Sequence, residues 1–228
     1  MTFLSYTLSE NDYNSIFPNS IRTRFDVVIT LLETLKYLIT VYGDESQATT
    51  VQTVHSDYQV CVFKEKMCRL VFKVHDLHLH SFSIPFALKK SNGELMINHN
   101  SLASPLSMRE LLFTIDFFRK IKQLSEQNLG IYEYFAIFDD IEFQSRSEGA
   151  QVWQIINLLT YHEDGYLRYD KDLANENGRL HPLYHIDVCY SSHSTFKIGL
   201  DTALDQSSFG DLLNTKTDCY YLSKSRTA

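Results

Sequence analysis

Three short stretches towards the C-terminal end alternate polar and apolar residues with a period of two, and they restrict what this chain can fold into. They are Tyr166-Leu-Arg-Tyr-Asp170, Tyr184-His-Ile-Asp-Val-Cys-Tyr190 and Phe196-Lys-Ile-Gly-Leu200. A period of two marks a strand, because successive side chains leave opposite faces of a sheet. The second and third stretches are joined by a turn, and short connections of this kind favour antiparallel pairing. Side by side, the three strands would gather Arg168, Asp170, His185, Asp187 and Lys197 on one surface, away from Tyr184, Ile186 and Val188. Pro182 fixes its own φ and biases His181 to an extended conformation, so the start of the second strand is rigid.

The rest of the chain supplies helices to cover such a sheet. Ile21, Phe25, Val28, Leu32, Leu35 and Ile39 recur at helical spacing after Ser20, and Arg22, Asp26, Glu33, Lys36 and Thr40 fall on the opposite, solvated side. Ser107-Met-Arg-Glu110 is a capping box that opens a second helix, and Val152, Ile155, Ile156 and Leu159 mark a third. The pattern predicts helices near 20–42, 107–128 and 150–162, with a fourth from Leu204 to Leu213. Strands are expected at Tyr58–Val62, across Arg69–Leu88, at Glu133–Phe143 and at Cys219–Leu222. Asn92-Gly93 is the strongest turn signal, since it accepts the positive φ of a tight hairpin. The expected fold is α+β, a mainly antiparallel sheet with three to four packed helices. A single domain over 1–228 is expected, with a polar N-terminal segment 1–19 and a basic tail 223–228.

Composition narrows the function classes. A formal charge of -7 and a pI near 5.7 argue against a broad basic surface for nucleic acid, whose affinity is dominated by phosphate neutralisation, and leave only a local patch. Cys61, Cys68, Cys189 and Cys219 lack Cys-x-x-Cys spacing and lie in or beside apolar runs, so reduced, buried thiols are expected. The first residues have neither a basic nor an apolar signal region, and no apolar run reaches spanning length. A cytoplasmic protein without membrane contact is the expectation.

No glycine-rich phosphate loop and no Gly-x-Ser-x-Gly occurs, which removes sequence support for the usual nucleotide sites and for serine hydrolase chemistry. A restriction-type nuclease would need an acid-x-Lys strand. Thr195-Phe-Lys197 has the Lys without the acid, and Asp140-Ile-Glu142-Phe-Gln144 has the acids without the Lys. Asp76-Leu-His78-Leu-His80-Ser81 resembles the opening motif of the polymerase-and-histidinol-phosphatase metal hydrolases. Two His at spacing two leave the same face of a strand and can share a metal such as Zn²⁺. Hydrogen-bonded His on a sheet is the plainer reading of the pair.

Leu167-Arg-Tyr-Asp170, a polar gap, His181-Pro-Leu-Tyr-His185 and Thr195-Phe-Lys-Ile-Gly199 with a helix after it resemble a prokaryotic family known as domain of unknown function 2290, over roughly the last sixty residues. The resemblance implies a setting among mobile or phage-defence genes, and supplies no reaction. The expectation is a binding component of a multi-protein, phage-defence type of system, with protein partners encoded nearby and no cofactor. The alternative is a metal-dependent phosphodiester or phosphate hydrolase that uses His78, His80, His185 and Asp187. In either case the polar face is the expected site, with Arg168 and Lys197 holding an anion, His185 exchanging a proton and Asp187 fixing its tautomer.

Overall fold

The alternating stretches do become neighbouring strands, at one end of a larger sheet. The computed structural model describes residues 3–17, 20–41, 58–63, 69–75, 77–91, 93–125, 131–178, 180–191 and 195–214. In chain order the elements are β1 (Phe3–Thr7), α1 (Glu10–Ile16), α2 (Arg24–Val41), β2 (Tyr58–Phe63), β3 (Arg69–Val74), β4 (His78–Ser83), β5 (Ala87–Ser91), β6 (Glu94–Asn98), α3 (Met108–Ser125), α4 (Ile131–Asp139), α5 (Arg146–Tyr161), β7 (Leu167–Lys171), β8 (Tyr184–Val188), β9 (Phe196–Leu200) and α6 (Gln206–Leu213). Among the described residues, seven strands pair in the order β1-β2-β3-β4-β7-β8-β9, and β5 and β6 form a separate hairpin. Each of these pairings is antiparallel. This is the α+β fold that the alternation and the short connections imply.

The two faces of the sheet are covered differently. Leu70, Phe72 and Phe82 lie in the main core with Val28, Leu31, Leu32 and Leu35 of α2, Leu111 and Phe118 of α3, and Val152 and Ile155 of α5. Val71, Leu79 and Tyr169 point the other way and pack with Phe209 of α6. Parity then fixes where the polar residues go. Phe72 is opposite His80, His80 opposite Arg168, Arg168 opposite Asp187 and Asp187 opposite Lys197. The polar set therefore continues the face that carries the main core, where apolar side chains give way to ionic ones.

Helix starts follow their capping signals. Glu110 accepts from the Ser107 backbone N–H at 2.8 Å, and the Glu110 N–H donates to Ser107 Oγ at 3.2 Å. Ser145-Arg-Ser-Glu148 uses a variant of the device at α5, where the Glu148 N–H donates to the N-cap Ser145 Oγ at 3.2 Å and Glu148 accepts from the N–H of the preceding residue, Gln144, at 2.6 Å. That helix begins at Arg146, a turn earlier than its apolar spacing alone suggests.

Several local expectations are corrected. Residues 131–139 are a helix, where the aromatic, acidic run suggested a strand over 133–143. Phe135 and Phe138, three apart, both pack on Trp153 of α5, a tertiary contact that suits helical spacing. The N-terminal segment holds β1 and α1, with Tyr13, Ile16 and Phe17 buried. Asp26 and Glu33 of α2 are buried at 3% and 2% exposure, because Lys122 and Arg119 of α3 cross over them at 2.6 and 2.7 Å. Cys189 is exposed and has φ 67°, so at least this thiol is outside the core. Cys68, Asn92 and the strand expected at 219–222 lie outside the described residues. Among the described residues, no helix is long and apolar enough to cross a membrane.

Candidate functional site

Register places the chemistry-bearing residues in two rows across four strands. One row is His78, Asp170, His185 and Gly199, and the other is His80, Arg168, Asp187 and Lys197. Side chains directly opposite one another, or diagonal across a pair, are within reach, so the two rows mesh into one ionic cluster. Asp170 receives Arg168 Nε at 2.8 Å from each of its oxygens and His78 Nδ1 at 2.9 Å. Asp187 receives Arg168 Nη2 at 2.6 Å and Lys197 Nζ at 2.7 Å. Two carboxylates and two cations balance, which lets the charges be buried.

Burial sorts the cluster by depth. Asp170, His185 and Asp187 are 3%, 0% and 3% exposed. The side chains of His78, Lys197 and Arg168 keep 39%, 29% and 25% of their surface. The carboxylates thus sit beneath, and the groups that meet solvent are donors. Burial alone would push the Asp170 carboxyl up, but the hydrogen bonds from His78 and Arg168 more than reverse this and hold it at about 2.

His185 is oriented from the opposite side. Its Nδ1 lies 2.8 Å from the Pro182 carbonyl oxygen, which can only accept, so the proton of the neutral ring is on Nδ1. The Nε2 lone pair is left facing the carboxylates, and Lys197 Nζ donates to it at 2.9 Å. Pro182 can come this close because residue 199, opposite His185, is glycine. A Cβ there would stand 2.9 Å from Pro182 Cγ. The His181 ring meets His185 nearly at right angles, with centroids 4.7 Å apart. His181 is held in turn by paired backbone hydrogen bonds with Asn177 at 2.7 Å.

Donor atoms of Asp170, His185 and Asp187 all lie within 4.8 Å of one another. His185 Nε2 is 3.5 Å from Asp170 Oδ2 and 3.7 Å from Asp187 Oδ1. Ligands about 2.1 Å from a tetrahedral ion are separated by about 3.4 Å, so the two separations from His185 Nε2 are already close to that spacing, and the two carboxylates lie within 4.8 Å of each other. A metal-bound His normally donates its other ring N–H to a carbonyl or carboxylate, as His185 does to Pro182.

The residues expected to form the site divide accordingly. His185, Asp187, Arg168 and Lys197 meet in the cluster. His78 reaches it through Asp170. His80 does not, for its Nδ1 is 3.0 Å from the Tyr166 hydroxyl and its ring packs 4.7 Å from Phe17. Burial, reinforced by Arg168, drives the His80 pKa down to about 3, so the ring is neutral. The His78–His80 pair therefore shares a face without sharing a partner. Asp170, part of the polar surface in the sequence, emerges as the residue that joins β4 to β8. Gly199 and the Pro182 carbonyl had no polar side chain to signal them.

No family model matches this chain, and no curated protein or solved structure matches it.

Proposed function

We propose that this protein is a metal-dependent phosphodiester or phosphate hydrolase in which Asp170, His185 and Asp187 hold one divalent cation such as Zn²⁺ or Mn²⁺. The observation that carries the reading is the convergence of three buried donors, one a histidine with its lone pair directed inward, beneath a rim of Arg168, Lys197 and His78. Buried carboxylates with an imidazole suit a borderline cation. A donor rim suits an anionic substrate, and a local one is compatible with an overall charge of -7. The cation would lower the pKa of a bound water and polarise a phosphoryl oxygen. In the hydrolysis the water oxygen bonds to phosphorus, the ester P–O bond breaks, and the proton lost by the water goes to the departing oxygen. Mn²⁺-dependent release of para-nitrophenol from bis(para-nitrophenyl) phosphate, lost in Asp187→Asn and in His185→Gln, is the expected result. Turnover that needs no metal, or that survives both substitutions, would overturn it.

A second reading, a binding component of a multi-protein assembly, draws on a different observation. Leu173 and Leu180, on the segment between β7 and β8, and Phe196 on β9 are 66%, 81% and 55% exposed. Large exposed apolar side chains suit a protein partner. A phage-defence setting rests on the family resemblance alone. Co-purification with the products of neighbouring genes, weakened by Leu180→Asp and Phe196→Asp but not by Asp187→Asn, supports this reading. A monomer that captures none of them counts against it.

A further inference from the structure

Lys197 stands in the position that a shared cation would take. Its Nζ is 2.9 Å from His185 Nε2 and 2.7 Å from Asp187 Oδ1, so it uses two of the three atoms that would ligate a metal. One lone pair on an imidazole nitrogen cannot serve an ammonium and a metal together. Either the lysine or the metal holds it.

We infer that Lys197 is a built-in counter-cation which closes the Asp170–His185–Asp187 cluster in the metal-free protein, is displaced outward by the metal, and then receives the phosphate oxygen of the substrate. This deepens the hydrolase reading and rests on it. The two cations of the cluster differ in their freedom to move. Arg168 is tied to both carboxylates by a planar fork, on an interior strand between β4 and β8. Lys197 has two side-chain partners among the described residues, stands on β9 at the end of the sheet order, and has a four-carbon stem with 29% of its side chain in solvent. A long stem lets the head group swing to water while the backbone stays in the sheet.

Charge then makes the order of events matter. Without metal, Asp170 and Asp187 are balanced by Arg168 and Lys197, and the cluster has no surplus with which to attract an anion. With a divalent ion among the donors and Lys197 moved to the rim, the same residues carry a surplus of two positive charges. A phosphate monoester or diester supplies the negative charge that this state lacks. Phosphate binding should therefore follow metal binding, and Lys197 should serve the substrate only after leaving His185.

The test compares wild type, Lys197→Met and Asp187→Asn by calorimetric Mn²⁺ titration at one fixed pH, each also scanned for thermal midpoint with and without Mn²⁺. Inorganic phosphate is the anion probe. If Lys197 keeps the donors occupied more than nine-tenths of the time, its removal should tighten Mn²⁺ binding roughly tenfold or more. Lys197→Met should also melt lower than wild type without metal and gain more from Mn²⁺. Wild type should bind phosphate only with Mn²⁺ present, and Lys197→Met should bind it more weakly despite its tighter metal. Equal Mn²⁺ affinity in wild type and Lys197→Met, with binding lost in Asp187→Asn, would overturn the displacement and leave the metal site standing. No Mn²⁺ binding in either would overturn both. Should Lys197→Met fail to fold, Lys197→Gln, which retains a donor without the charge, is read by the same criteria.

Discussion

Asp170→Asn separates a held carboxylate from a merely polar side chain at the centre of the cluster. In the folded protein the Asp170 pKa is about 2, against an ordinary aspartate value of 3.8. The group is nearly buried, with 5% of its side chain exposed, so solvent screening discounts the shift little. A folded-state pKa below the unfolded one means that ionised Asp170 stabilises the fold above the unfolded value, and that this contribution fades as pH falls towards 2. At about 1.4 kcal/mol per unit, the contribution at neutral pH is roughly 2 kcal/mol, with about half remaining at pH ~3. The asparagine cannot ionise and leaves Arg168 short of a countercharge, so its total cost at neutral pH should be about 3–5 kcal/mol. Urea unfolding of wild type and variant at a series of pH values from neutral to about 3 measures the gap. The expected result is a gap that narrows steadily below pH ~4. A gap that stays constant over that range, or one below about 1 kcal/mol at neutral pH, would show that ionised Asp170 does not hold the fold in this way.

Two further substitutions test how the cluster is supported. Gly199→Ala places a Cβ 2.9 Å from Pro182 Cγ and should push the Pro182 carbonyl away from His185. A stability loss of about 1–3 kcal/mol, measured by urea unfolding, is expected, together with a change in the His185 imidazole nitrogen shifts by NMR. Tyr166→Phe leaves His80 Nδ1 buried without its 3.0 Å partner and should cost about 1–3 kcal/mol. Since that pair lies beside Arg168 rather than among the metal donors, the variant should keep its Mn²⁺ affinity, as read by calorimetry.

Much of this arrangement is legible in the sequence, and what is not has identifiable physical causes. Alternation with a period of two assigns Arg168, Asp170, His185, Asp187 and Lys197 to one face, and the structure places them there. It does not give register between distant strands. The contact of Asp170 with His78 depends on β4 pairing with β7 across the intervening hairpin and helices. Spacing also cannot distinguish His78 from His80, which share a face. Their difference arises from tertiary neighbours, Asp170 for one and Tyr166 and Phe17 for the other. The helical pattern of α2 correctly places its apolar side, whereas Asp26 and Glu33 read as solvated because Lys122 and Arg119 come from another helix. The capping box at Ser145-Arg-Ser-Glu148 was readable, and extends α5 back to Arg146.

The most direct test of the metal-centred account is an anomalous difference map from crystals of the wild-type protein grown or soaked with Mn²⁺. The expected result is one peak about 2.0–2.2 Å from a donor atom of each of Asp170, His185 and Asp187, with Lys197 Nζ withdrawn from His185 Nε2. A well-ordered cluster with Lys197 still bonded to His185, and no peak among the three donors at saturating Mn²⁺, would contradict it.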